Sequence, residues 1–295
     1  MTAMRDVTGA VGATSRFGAA TTVLRQGPGE YLADLDAEIS VAGRLNGGYL
    51  LAVLVRAALA ELATTGTGTG GGAGAAGGML PVASTAHYLG AARPGPAQIA
   101  VEVLRRGSST GQVRARLHQE GVTSVDAVVT VARLREVAGW SDGPVVELPP
   151  EQACFLMPTQ APGAPFETPI MGLIEERLDP ACLAFAFGQP TGAGQLRGWL
   201  RIPGADPSDP AALILASDAL PPAAFDLGHL GWVPTLSLTV HLTGLPEPGP
   251  LRVRQQVRGL ESGVLTQVCD IWDDAGRLVA HAVQLAALPP ERPRR

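Results

Sequence analysis

The chain contains no lysine; all 22 of its basic residues are arginines. That absence excludes mechanisms that need a lysine Schiff base or a lysine general base. Together with the abundance of Ala, Gly and Pro, it reflects GC-rich coding more than function. Cysteine is nearly as scarce. Cys154, Cys182 and Cys269 are odd in number and far apart, which excludes a disulfide framework and a zinc ribbon. His87, His118, His229, His241 and His281 show no metal-ligand spacing, so neither a metal nor another cofactor is expected. Positive charge is in deficit, with a net charge of −5, which argues against nucleic acid as a partner. The N-terminal "MTAMRDVTGAVGATS" lacks the apolar core of a signal peptide. The longest apolar run, 46–63, is interrupted by Arg56 and Glu61, so no membrane span is expected. What is present is a globular composition, 46% apolar and 17% charged over 295 residues. That length suits one large domain or two of about 140 residues. A soluble cytoplasmic protein is expected.

Two familiar patterns are set aside on context. "GTGTGG" at 66–71 satisfies G-x-G-x-x-G, but it lies in the low-complexity stretch 64–78 and follows a helical run, not a strand. A flexible loop is expected there. "GSSTG" at 107–111 satisfies G-x-S-x-G around Ser109, but the alternating "QVRARLHQ" that follows is a strand. A nucleophile elbow needs a helix after the serine, so this is a hairpin turn.

The informative feature is an internal repeat. "STAHYLGAARPGP" at 84–96 matches "LTVHLTGLPEPGP" at 238–250, with His87 on His241 and Thr85 on Thr239 at an offset of 154. Alternating segments follow each copy, and the final strands, "VTVARL" at 129–134 and "VQLAAL" at 283–288, keep the same offset. The spacing implies two copies of one module of about 130 residues. Each copy carries one long apolar segment ahead of its strands, 46–63 in the first and about 208–221 in the second. A helix that is apolar on most faces, followed by long antiparallel strands, suits a sheet curled around that helix. The expected fold is α+β, a double hotdog. The expected organisation is an N-terminal module at 1–140, a Pro-rich linker at 141–166 and a C-terminal module at 167–295.

Asp218 stands out within "AALILASDALPPAAF" at 211–225. If this segment is a buried helix, an unpaired carboxylate in it is costly and its pKa shifts. The bland reading places Asp218 at the helix end, ahead of Pro221 and Pro222, where it reaches solvent. In "TLSLTVHL" at 235–242, alternation puts Thr235, Ser237, Thr239 and His241 on one face. Gln284 shares its face with Ala280, Ala282 and Ala286, which leaves room beside the glutamine. The first copy lacks these groups: the repeat sets Pro81 against Thr235 and Thr130 against Gln284. One working site per chain follows.

Over nearly its whole length the chain resembles the type II acyl-CoA thioesterases, the double-hotdog acyl-CoA hydrolases. The resemblance is carried by "NGGYLLAVLVRAA", "STAHYLGAARPGP", "VEVLRRGSS", "LASDALPPAAF", "GWVPTLSLTVHL" and "WDDAGRLVAHAVQLAAL". It implies an Asp on the second helix, a Thr opening the next strand and a Gln on the last strand, which fall on Asp218, Thr235 and Gln284. Members often carry an acid two residues after the Thr, where this chain has Ser237. The Gly-rich insertion at 64–78 is a second departure. Thioester hydrolysis needs a placed water, a base and an oxyanion stabiliser. The expectation is Asp218 as base, with Thr235 and Gln284 orienting the water; direct attack by the carboxylate is the alternative. Gly47 and Gly48 open the first helix and are expected to offer N–H groups to an oxyanion. An acyl groove is expected between helix and sheet, with Arg93, Arg105 or Arg106 able to meet CoA phosphates. Other readings are a hydratase or dehydratase, which would want a His beside the acid, and a non-catalytic acyl-thioester-binding protein. A homo-oligomer is expected, because edges and faces of such sheets often pair.

Overall fold

The computed structural model describes residues 10–11, 15–64, 78–135, 139–141, 144–160 and 166–288. The G-x-G-x-x-G stretch and nearly all of the Gly-rich insertion lie outside them. In the first module, β1 (Ala10–Val11), α1 (Arg16–Ala20), β2 (Val23–Gly27) and β3 (Glu30–Leu35) precede a small hairpin of β4 (Ser40–Val41) and β5 (Arg44–Leu45). The long helix α2 (Gly47–Thr64) follows, then β6 (Met79–Tyr88), β7 (Gly95–Arg106), β8 (Thr110–Gln119) and β9 (Val122–Arg133). The second module holds β10 (Phe155–Leu156), β11 (Glu175–Leu178), β12 (Gln195–Arg201) and α3 (Pro210–Ala216). It closes with β13 (Thr235–Leu242), β14 (Leu251–Glu261), β15 (Val264–Trp272) and β16 (Leu278–Ala287). Strand β10 falls inside the segment expected to be linker.

All strands but β4 and β5 form one antiparallel sheet, in the order β1-β2-β3-β7-β8-β9-β6-β13-β16-β15-β14-β12-β11-β10. The modules meet where β6 pairs with β13. There Thr85 lies opposite Thr239, their hydroxyls 3.1 Å apart. Equivalent residues facing each other are what a two-fold relation between the modules requires. The sheet wraps α2, whose residues are buried on nearly every face. This is the double hotdog. The segment 107–109 is the tight turn between β7 and β8, closed by the Gly107 N–H on the Thr110 carbonyl at 2.9 Å.

Helix α2 is long and apolar enough to cross a bilayer, but it is packed inside the sheet. The two charges that interrupt it are paired. Arg56 binds Asp209, and Glu61 accepts the Tyr31 hydroxyl at 2.8 Å with Arg25 3.5 Å away. Asn46 caps its start, with Oδ1 accepting the Tyr49 N–H at 2.8 Å.

Three expectations change. Helix α3 is only seven residues long, ending at Ala216 with Ser217 as its cap. Asp218 therefore lies in the turn beyond the helix, its N–H on the Leu215 carbonyl at 3.1 Å, and the two prolines prevent the helix from continuing. Strict alternation along β13 also fails. A bulge between Thr235 and Ser237 turns Thr235 to the inner face and leaves Ser237, Thr239 and His241 on the outer one. Finally, the register opposite Ser84 and Leu238 makes Val129, not Thr130, the counterpart of Gln284. The same register makes Val113 the counterpart of Gln267. The first module thus has apolar side chains where the second has two glutamines, a sharper asymmetry than the linear repeat shows.

Candidate active site

The site forms where the end of α3 meets the start of α2, over the inner faces of β13, β15 and β16. Gln284 Nε2 donates to Asp218 Oδ1 at 2.7 Å and to Thr235 Oγ1 at 2.6 Å. The three residues expected to act together are joined through one amide. The other carboxylate oxygen, Oδ2, accepts the Gly48 N–H at 2.9 Å and Asn46 Nδ2 at 3.3 Å. Asn46 Nδ2 also holds the Asp218 carbonyl at 2.7 Å, so the cap of α2 clamps the turn after α3.

The orientation of Gln284 is fixed from behind. Its Oε1 accepts from Gln267 Nε2, and Gln267 Oε1 faces the Ala223 N–H at 3.4 Å. Once Oε1 is taken, the NH2 must face Asp218 and Thr235. Because Thr235 Oγ1 accepts from Gln284, its own proton is left to donate elsewhere. Burial pushes the Asp218 carboxyl up to about 6, opposed by hydrogen bonds from Gly48, Gln284 and Gly47. The acid is half-buried, and its open side lines a cavity, not the outer surface that the bland reading supposed.

The two glycines allow this approach. A Cβ on Gly48 would come within 2.9 Å of Asp218 Cβ and 3.0 Å of the Ile214 carbonyl. A Cβ on Gly47 would stand 3.0 Å from Asp218 Oδ2 and 3.1 Å from the Tyr88 hydroxyl. Tyr88 in turn donates to the Gly47 carbonyl at 2.7 Å. The expected role of Gly48 changes accordingly: its N–H is spent on Asp218, and only Gly47 of the pair lines the cavity.

The cavity, about 110 Å³, is lined by the apolar Met157, Phe166, Met171, Phe185 and Phe225 and by the polar Asp218, Thr235, Gln267 and Gln284. Phe185 and Phe225 pack with their ring centres 5.7 Å apart. Trp232 also lines it, and the exposed Arg44 lies over that ring at 5.5 Å. Arg93, Arg105 and Arg106 are not among its lining residues. No histidine lines it either, and the described residues hold no cluster suited to a metal ion.

Sequence reasoning missed Asn46, Tyr88, Gln255 and Gln267. Asn46 was the most legible, since an Asn directly before Gly-Gly and an apolar run is a helix-cap signal. Gln267 is legible only as a polar residue on the inner face of β15, alternating with Leu265, Cys269 and Ile271.

Residues 35–132 match the acyl-CoA thioesterase N-terminal domain family, and residues 149–288 match the acyl-CoA thioesterase C-terminal domain family. A Thermobifida fusca protein described as a thioesterase II shares 30% identity, with 95% of this chain and 100% of that one aligned at a TM-score of 0.79. A hot dog-fold protein of unknown function from Alicyclobacillus acidocaldarius superposes at a TM-score of 0.77, with 21% identity over 95% of this chain and all of that one. An uncharacterized protein of Mycobacterium tuberculosis is 26% identical over 280 residues, 88% of this chain and 90% of its own length. With both halves of the fold matched in order and a full-length relative at this identity, the chain belongs to the type II acyl-CoA thioesterase family.

Proposed function

We propose that the chain hydrolyses acyl-CoA thioesters to the free acid and CoA, with Asp218 as general base. One observation carries this reading: Asp218, Thr235 and Gln284 are hydrogen-bonded together on the wall of an apolar cavity. A water held between Asp218 and Thr235 loses a proton to the carboxylate as its oxygen bonds to the thioester carbon. The tetrahedral intermediate then collapses, the C–S bond breaks, and the proton passes from Asp218 to the departing thiolate. A base with its pKa near 6 is mostly ionised at neutral pH yet still accepts a proton. Gly47 N–H, at the start of α2 on the cavity wall, is turned toward Asp218 and is assigned to the oxyanion as a shared donor. The apolar wall takes the acyl chain, and Arg44 supplies positive charge for CoA phosphates. The absence of a histidine from the cavity lining disfavours hydration or dehydration, which pairs an acid with a histidine.

The test is release of free CoA from a panel of acyl-CoAs by wild type and Asp218→Asn. Wild type should turn over at least one member. The variant keeps the size of the side chain but exchanges one accepting oxygen for an NH2 and loses the base, which costs about 10²–10⁴-fold. Turnover of the variant at near wild-type rate would remove Asp218 from the mechanism, and wild-type binding without CoA release would make the protein an acyl-thioester binder.

A further inference from the structure

The Gly47–Gly48 peptide is held at both ends by side chains from opposite modules. Its N–H, on Gly48, donates to Asp218 Oδ2 at 2.9 Å, and its carbonyl, on Gly47, accepts the Tyr88 hydroxyl at 2.7 Å. Asp218 follows α3 in the second module, whereas Tyr88 ends β6 in the first. Tyr88 is not among the cavity-lining residues, so it meets the reaction only through this peptide.

The peptide needs an anchor. Two consecutive glycines carry no Cβ to restrict their backbone, and they open α2, where N–H groups have no partner within the helix. Asn46 caps the Tyr49 N–H, not that of Gly48. Without a hold on the carbonyl, rotation of the peptide would turn the Gly48 N–H away from Oδ2 and leave that oxygen to Asn46 at 3.3 Å. A carbonyl that accepts a hydrogen bond also polarises its own amide, and the N–H beyond it becomes a stronger donor.

The sequence repeat separates this task from packing. At the offset of 154, Leu242 is the counterpart of Tyr88, and it is buried and apolar. An apolar side chain thus suffices at this position of the module; the hydroxyl appears only on the strand that reaches Gly47. Burial, joined by the Asp218 charge, pushes the Tyr88 phenol well above its ordinary range, so it keeps its proton and remains a donor. The buried Cys269 thiol also feels Asp218, and burial pushes it up as well, so it stays neutral.

We infer that Tyr88 is a positioning residue for the reaction: its hydroxyl fixes the Gly47–Gly48 peptide so that the Gly48 N–H stays on Asp218 and holds the carboxylate in its working orientation. The effect on turnover rests on the hydrolytic reading of Asp218; the hold on the peptide does not.

The experiment reads the peptide and the reaction separately. In isotope-labelled full-length protein the Gly48 amide is followed by NMR in wild type, Tyr88→Phe and Tyr49→Phe, and CoA release is measured on the same three. Tyr88→Phe keeps the ring and its packing. Tyr49 lies on the same helix, and its hydroxyl donates to the Ala20 carbonyl at 2.8 Å, so its loss controls for removal of a hydroxyl that does not touch Gly47. Tyr88→Phe should move the Gly48 amide proton upfield and speed its exchange with solvent. It should also lower kcat about ten-fold or more, with KM nearly unchanged. Tyr49→Phe should leave the Gly48 amide and kcat as in wild type. An unmoved Gly48 amide in Tyr88→Phe overturns the proposal whatever turnover does. So does a moved amide with unaltered kcat, because the orientation of the peptide would then not matter to the reaction. Equal effects of the two variants would mean a general loosening of α2 and would overturn it too. Wild type that releases no CoA defeats the hydrolytic reading instead, and the amide still decides whether Tyr88 holds the peptide.

Discussion

Asp218 and Gly48 are 170 residues apart in sequence and joined by a 2.9 Å hydrogen bond from the Gly48 N–H to the carboxylate. The bond lets the first turn of α2 face the acid, where the free amides and the helix dipole favour negative charge. It requires glycine, because a Cβ at 48 would press on Asp218 Cβ and the Ile214 carbonyl. Gly48→Ala should therefore push the turn after α3 away from α2. The expected cost is about 1–3 kcal/mol in stability and at least ten-fold in kcat. Thermal melts and CoA release check both. An Ala variant with wild-type stability and kcat would show that the close approach is not needed.

The pH dependence follows from the same carboxylate. Its folded pKa, about 6, lies above the 3.8 ordinary for an aspartate. Only the ionised form is a base, so kcat/KM should rise with pH up to about 6 and then level off. The stability sign is opposite to that of an ordinary ion-paired acid. Between about 4 and 6 the native protein holds a proton that the unfolded chain has released, so stability falls as pH rises through that window. Asp218→Asn should remove that slope from the stability profile. A kcat/KM flat down to pH 5 would rule out an ionised Asp218 as base.

Gln267 acts on the reaction only through Gln284. Its Nε2 occupies the Gln284 oxygen and so commits the Gln284 amide nitrogen to Asp218 and Thr235. Gln267→Met removes that constraint, and Gln267→Glu reverses it by offering the Gln284 amide a competing acceptor. Both should lower kcat about ten-fold or more, with KM nearly unchanged, as expected of a positioning residue. A drop confined to KM would assign Gln267 to substrate binding, and an unaltered kcat in both variants would discard the relay.

The repeat was legible because its signal is long-range and redundant: two histidines, two Pro-Gly-Pro turns and two last strands keep one spacing. From it followed the double sheet, the position of α2 and the candidate trio of Asp218, Thr235 and Gln284. What the sequence hid were single-residue events. The bulge after Thr235 inserts one residue without a composition signal, so alternation assigned Thr235 to the wrong face. The matching slip between β9 and β16 made Thr130, instead of Val129, look like the partner of Gln284. Gly47 and Gly48 signalled a close approach, but only the packing of α3 shows that the approaching group is the acid itself. Asn46 is readable as a helix cap, but its grip on Asp218, like the placement of Gln255 and Gln267 on the cavity, depends on contacts between distant strands and turns, which no local pattern encodes.

Glu176 tests how the fold tolerates a buried acid that has no part in the site. It lies on β11 opposite Leu200, fully buried, and neither of its carboxyl oxygens meets a donor among the described residues. Burial raises its pKa to about 8, so it is neutral at pH 7. Gln284, Gly48 and Asn46 support Asp218; nothing comparable supports Glu176. Replacing it with Met keeps the length of the side chain and removes the orphaned oxygens. The variant should be more stable by roughly 1–3 kcal/mol near pH 5. The advantage should widen as pH rises, because from about 4.5 to 8 the native protein holds a proton that the unfolded chain has lost, and wild-type stability falls across that window. Chemical denaturation of wild type and Glu176→Met at pH 5 and pH 8 measures both the gain and its growth. A Met variant that is less stable at both pH values, or whose margin shrinks at pH 8, would mean that Glu176 has a partner in the folded protein and that its burial is not the source of its shift.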